Sequence, residues 1–333
     1  MLSLGICTST EGFDHERDLV DLSPKVARFV LMSQRAWLPN WHKSAGRAVH
    51  GVAAAETFSS FGLNPHGDFR QCAEKARELW SDDLAYLEIG NEPDDSGGSS
   101  YAQAPAEFST MLAAFHDVLH QGQHQHPTLI SGGLNSGQLG FAKQVAFPKC
   151  PTLLFGLHDY DSRLRGWPSP QFGYHDLDFY IDVFESIWRL MAGVAITEWG
   201  HTSQDEAFGA EYVRRWVAIV REHPEVRLAE FFSLYDRQHP PHGLIRNDGG
   251  RKAAFGVYRD EIQKEASVLP LKVGQGIVDR MKSNSDYPIE DSRFQDNSNG
   301  SKVEECRGRK GRYIATNASG QWEIVFIPWG AGN

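Results

Sequence analysis

"YLEIGNEPDD", residues 86–95, begins as a buried strand and then stops in a glycine, an amide and a carboxylate. Pro93 removes the next backbone donor, so the strand has to end at Asn91 and Glu92. A strand that finishes on a carboxylate is what a (β/α)8 barrel uses to furnish a pocket, because its eight loops converge at the C-terminal strand ends. That reading requires seven partner strands.

The chain supplies them. "LSLGICT" (2–8), "VARFVLM" (26–32), "AVHGVAA" (48–54), "LAYLEIG" (84–90), "TLISGG" (128–133), "TLLFGLH" (152–158), "GVAITEW" (193–199) and "RLAEFFSLY" (227–235) alternate with amphipathic segments. Phe108, Met111, Leu112, Phe115 and Leu119 form one helical face, and Phe208, Tyr212, Trp216 and Ile219 form another. Near-continuous apolar strands separated by helices imply parallel pairing with both faces covered. The fold class expected is therefore α/β, a (β/α)8 TIM barrel over residues 1–267. "SQRAWLPNWHKSAGR" (33–47) contains Pro39 and lacks a clear stripe, so the helix after the second strand should be short, irregular or missing.

Beyond residue 268 the chain turns polar and rich in turn formers, and "RYIATNASGQWEIVFIPW" (312–329) reads as a hairpin turning near Asn317–Gly320. Residues 268–333 are expected to form a small β-rich C-terminal region that leans on the barrel, since so few residues make a marginal core.

Hydrophobic content of 41% and charged content of 23% are those of an ordinary globular protein. A net charge of −10 without a basic run argues against nucleic-acid partners. Cys7, Cys72, Cys150 and Cys306 are scattered, with no spacing that suggests a disulfide framework or a metal site. No apolar run approaches the ~20 residues of a membrane span, and "MLSLGICTST" lacks the features of a signal peptide. The chain is expected to be soluble as written, secreted if a signal was removed and otherwise cytoplasmic.

Glu198, in "AITEWG" (195–200), ends the seventh strand as Glu92 ends the fourth. Far apart in sequence, the two should face one mouth. Glycoside cleavage needs such a pair, one carboxyl protonated to donate to the leaving oxygen and one ionised to attack the anomeric carbon. At ~5–5.5 Å separation the second is a nucleophile and the configuration is retained.

"IGNEPD" (89–94) and "ITEWG" (196–200) resemble the paired signatures of the glycoside hydrolase clan A superfamily, retaining enzymes on (β/α)8 barrels. The resemblance spans the barrel and implies Glu92 as acid/base, Glu198 as nucleophile and Asn91 as the amide that binds the sugar 2-hydroxyl. "LHDY" (157–160) is similar to the His-x-Tyr of cellulase-like members, which implies supporting roles for His158 and Tyr160. "VARFV" (26–30) resembles the segment carrying the clan's arginine, making Arg28 the candidate and Arg35 a rival. "GLIRNDGGRKAAFGVY" (243–258) resembles the stretch after strand eight. The chain departs from the pattern where "GVAAAET" lacks the histidine often found near the end of strand three, His50 lying too early, and where Tyr235 stands in place of a strand-eight tryptophan. The activity implied is a retaining glycosidase, endo-acting on a β-linked polysaccharide or oligosaccharide, with no cofactor or metal.

Glu88 shares strand parity with Glu92 and, if buried, needs a cationic partner, for which Arg28 is the candidate unless a bulge near Gly90 turns it outward. Trp37, Trp41, Trp167, Tyr174, Trp199 and Tyr235 lie in or beside strand-end loops, where aromatic faces can pack on sugar rings; the alternative is loop packing. His120, His124 and His126 precede strand five, on the wrong side of the barrel for catalysis. Two other classes stay open: a non-catalytic carbohydrate-binding barrel, and a metal-dependent hydrolase using His158, Asp159 and Asp161.

Overall fold

The structure is a computed structural model. It describes residues 2–8, 16–95, 101, 104–119, 127–135, 139–148, 152–160, 164, 177–236, 242–267, 277, 280, 293–296, 302–307, 311–317 and 322–328. The chain divides into two compact units, Met1–Ala266 and Ser267–Asn333.

In the first unit eight parallel strands close into a barrel in sequence order. They are β1 (Ser3–Cys7), β2 (Val26–Val30), β3 (Ala48–Ala53), β4 (Tyr86–Ile89), β5 (Thr128–Ser131), β6 (Leu153–Tyr160), β7 (Gly193–Gly200) and β8 (Val226–Phe231). Around them run α1 (Glu16–Leu22), α2 (Leu38–Ser44), α3 (Ala55–Ser60), α4 (Phe69–Trp80), α5 (Pro105–Leu119), α6 (Leu139–Ala142), α7 (Leu177–Val183), α8 (Glu185–Trp188), α9 (Glu206–Arg221) and α10 (Ala253–Ser267). The connection after β2 is a 3-10 turn over Ser33–Arg35 followed by the seven-residue α2, with Pro39 in its first turn where no intrahelical donor is lost.

The long helices form for the reasons their stripes predict. α5 buries Phe108, Met111, Leu112, Phe115 and Leu119. α9 starts at Asp205, whose carboxylate caps the amides of Ala207 and Phe208, and it buries Tyr212, Val213, Trp216, Val217 and Val220. These faces share one core with the outward side chains of the strands. Inside the barrel, Val26, Ile130, Leu154, Ala195 and Leu228 form a separate apolar cluster. One step further along the strands the interior changes character, with Arg28, His50, Glu88, His158 and Glu230 all buried. An apolar floor beneath a charged layer is the frame of the site.

The second unit contains a four-stranded sheet in the order β12-β11-β10-β9, built from β9 (Arg293–Asp296), β10 (Lys302–Arg307), β11 (Gly311–Asn317) and β12 (Trp322–Pro328). β11 and β12 are the antiparallel pair read from sequence. β9 and β10, hidden in a polar stretch, add two strands to it. Ile277, Cys306, Tyr313 and Ala315 form its core. Cys7 and Cys72 are free, buried thiols, and Cys306 is buried in the second unit. No described helix is long and apolar enough to cross a membrane.

Candidate active site

Glu92 and Glu198 meet at one end of the barrel. A carboxylate oxygen of each, together with a ring nitrogen of His158, lies within 4.8 Å of the others. The turn that brings Glu92 there is strained: Gly90 has φ +84° and Glu92 has φ +43°. A side chain at Gly90 would also come within 3.2 Å of Phe108 on α5. Glycine is therefore required twice over, while Glu92 carries a left-handed conformation costing roughly 1–2 kcal/mol.

Glu198 is the better buried of the pair, its side chain 8% exposed against 29% for Glu92. Arg28 donates from Nη1 to Glu198 Oε1 at 2.6 Å, and the Tyr160 hydroxyl donates to Oε2. Burial alone would raise the Glu198 acid, but His158, Arg28 and the Tyr160 hydrogen bond outweigh it and hold the carboxyl below its ordinary value. Burial and the Glu198 charge push the Tyr160 phenol well above its usual value, so it stays a donor. Glu198 is held ionised.

His158 bridges the two carboxylates. Its Nδ1 is 3.0 Å from Glu92 Oε1 and its Nε2 is 3.7 Å from Glu198 Oε1. Burial opposes a charge on the ring, yet Glu198 and the Glu92 hydrogen bond raise its proton affinity. Room for this ring comes from Gly133, where a Cβ would lie 2.2 Å from His158 Nε2. The three groups are close enough to hold a cation, and the proton that Glu198 and Glu92 favour on the ring also suits His158 to proton transfer between them.

Arg28 also donates from Nη2 to Asn91 Oδ1 at 2.9 Å and from Nε to Glu88 Oε2 at 2.8 Å. The Glu88–Arg28 pair read from sequence is thus present, with Glu88 pointing inward. Arg35 lies in the 3-10 turn after β2. His50, set aside in the sequence for lying too early, is inside the barrel with its Nδ1 2.6 Å from Glu230 Oε2.

The expectation for Trp199 is corrected. Trp199 is fully buried and stacks on Trp216 of α9 with centroids 3.7 Å apart, so it cannot line a sugar site. Successive residues of a strand point to opposite faces, and with Glu198 turned inward Trp199 must face the helices. Asp159 does the same, accepting a 2.7 Å hydrogen bond from Trp216 Nε1, which takes it away from His158. Tyr235 donates its hydroxyl to Asp18 of α1. The aromatic beside Tyr160 is instead Phe232, in a T-shaped contact at 5.9 Å, with His242 5.2 Å from the same ring. Both were missed; the position of Phe232 just past β8 was the available signal. Trp37 is half exposed, whereas Trp41 packs against the core. Trp167, Tyr174, Asp161, His120, His124 and His126 lie outside the described residues. A groove of about 640 Å³ opens on the loops after β2 and β3, lined by Met32, Gln34, Glu56, Ser59, Ser60 and His66 but not by the two glutamates.

No protein-family profile and no curated protein matches this chain. Among solved structures it is similar to the GH128 subgroup I endo-β-1,3-glucanase of Amycolatopsis mediterranei in complex with laminaritriose, at 16% identity and TM-score 0.54 over 78% of this chain and 99% of that one. The GH128 subgroup II endo-β-1,3-glucanase of Sorangium cellulosum gives 16% and 0.56 over 78% and 98%. A family 39 glycoside hydrolase from Bacteroides cellulosilyticus WH2 gives 15% and 0.56 over 94% and 70%. At these identities the likeness is one of fold: the chain has the (β/α)8 architecture that these glycoside hydrolases share.

Proposed function

We propose that this protein is a retaining glycoside hydrolase acting on a β-linked polysaccharide or oligosaccharide. The observation that carries the reading is the approach of Glu92 and Glu198 to within 4.8 Å at the oxygen atoms, compatible with the ~5–5.5 Å carboxyl spacing of retaining enzymes. Inverting enzymes need a wider gap to seat a water. In the first step a Glu198 oxygen bonds to the anomeric carbon, the glycosidic C–O bond breaks, and Glu92 gives its proton to the departing oxygen. In the second, Glu92 takes a proton from water as that water displaces Glu198. Arg28 and Tyr160 hold the nucleophile, and Asn91 is set to bind the 2-hydroxyl. His158 relays charge between the two carboxylates.

Endo action on a β-1,3-glucan is the first case to test, because two fold neighbours are endo-β-1,3-glucanases by name. Incubation with laminarin-type and other β-glucans, with NMR of the first-formed anomer, reads substrate and stereochemistry together. A β-anomer formed first, lost in both Glu92→Gln and Glu198→Gln, is the expected result. An α-anomer first would overturn the mechanism. Binding of glycans without turnover by the unmodified protein would favour a carbohydrate-binding barrel instead.

A further inference from the structure

Beneath the two glutamates lies a second ionic cluster that the proposed chemistry does not use. Glu88 is fully buried and accepts at every quarter: from Arg28 Nε at 2.8 Å, from the Gly133 amide at 2.7 Å and from the Thr197 hydroxyl at 3.0 Å, with His50 Nε2 at 3.3 Å. His50 in turn faces Glu230 at 2.6 Å, so both of its ring nitrogens look onto carboxylates. Burial opposes a proton on His50, but Glu230 and Glu88 outweigh it. Burial also pushes the Glu230 acid up, so the His50–Glu230 pair keeps at least one proton. Arg28 is then one permanent cation between two anions, Glu88 and Glu198, with Asn91 on its remaining fork.

Resting on the glycosidase reading, we propose that Glu88 is a positioning residue that acts through Arg28, fixing the guanidinium against Glu198 and Asn91 while drawing off part of its charge, so that Glu198 stays ionised without being over-stabilised as an anion. An unshared Arg28 would bind Glu198 more tightly and make it a poorer nucleophile. The groups that bear on Glu198 are Arg28 from β2, His158 and Tyr160 from β6, Cys7 from β1, Glu88 from β4 and Glu92 beyond it, with His50 and Glu230 behind Glu88.

The test is the titration of Glu198 itself, followed by carboxyl-¹³C NMR in glutamate-labelled protein and assigned by its loss in Glu198→Gln. This measurement does not depend on the protein being a glycosidase. Glu88→Gln keeps the shape of the side chain and removes its charge, and should move the Glu198 midpoint down by on the order of one pH unit. His50→Gln leaves Glu88 leaning harder on Arg28 and should move it up. Should Glu88→Gln fail to fold, the sign of the His50→Gln shift decides. If activity is present, the acid limb of kcat/KM should follow the same two directions. Midpoints unchanged in both variants, or moved in the opposite sense, would overturn the proposal.

Discussion

Glu92 receives the Nδ1 edge of His158 at 3.0 Å, a contact that ties a glutamate beyond the end of β4 to the C-terminal part of β6. The imidazole is fully buried, and its Nδ1 hydrogen bond goes to Glu92. Because His158 stands among the charges that hold Glu198 low, replacing it with alanine has two effects. Glu92 loses its anchor, and Glu198 loses a positive neighbour. His158→Ala should cut kcat by roughly 10²–10⁴-fold, the usual worth of a positioned proton-transfer group. The acid limb of its pH–rate profile should move to higher pH. A wild-type profile in a folded variant would contradict this account.

Trp199, expected beside a sugar site, packs in the helix layer, while Phe232 lies against Tyr160. Trp199 stacks on Trp216 and makes edge contacts with Phe231 and Tyr258, so Trp199→Ala empties a large volume in the helix layer. A loss of about 3–5 kcal/mol of stability is expected, read as a lowered urea midpoint. Phe232→Ala should instead leave the midpoint near wild type and raise KM, since the ring sits against Tyr160 and is only partly buried.

What the sequence makes legible follows from which constraints are local. Parallel strands covered on both faces are mostly apolar, so all eight barrel strands stand out, and a carboxylate abutting such a run marks a pocket. β9 and β10 do not, because "RFQD" and "KVEECR" are mostly polar, and in the second Glu304 alternates with half-buried Val303 and Glu305. The Glu88–His50–Glu230 cluster is also invisible as a unit: each member is a lone polar residue within a strand, and only closure of the barrel brings them together. Trp199 shows the converse limit: it is next to Glu198 in sequence, but the alternation of side chains along β7 turns it to the opposite face, against Trp216.

Gly133 offers a test of how tightly the site is packed. Its amide donates to Glu88 Oε1 at 2.7 Å, and a Cβ there would overlap His158 Nε2 and come within 2.6 Å of the Thr197 hydroxyl. Both neighbours are fully buried and already bonded to the carboxylates, so neither can give way cheaply. Gly133→Ala should therefore abolish most turnover and destabilise the barrel by about 1–3 kcal/mol, the range for an overpacked core. Gly140→Ala is the control, with nothing near its Cβ position, and should leave both turnover and melting unchanged.

Asp94 gives the pH dependence most open to measurement. It lies two residues after Glu92, nearly fully buried, and its Oδ1 accepts from the Asn135 amide at 2.9 Å. Its Oδ2 has no hydrogen-bond partner among the described residues. Burial, helped by the Glu92 charge, pushes its acid up to about 6, against the pull of the Asn135 amide and His158. A carboxyl whose proton is held more tightly in the folded state favours folding fully below its unfolded value near 4, and that contribution drains away as pH rises through about 6. Asp94→Asn keeps the shape and removes the titration. Wild-type stability from urea unfolding should therefore fall relative to the variant as pH rises from 4 to 7, with the two curves running parallel above that. A gap between them that is constant from pH 4 to 7 would show that Asp94 ionises as freely in the folded protein as in the unfolded chain.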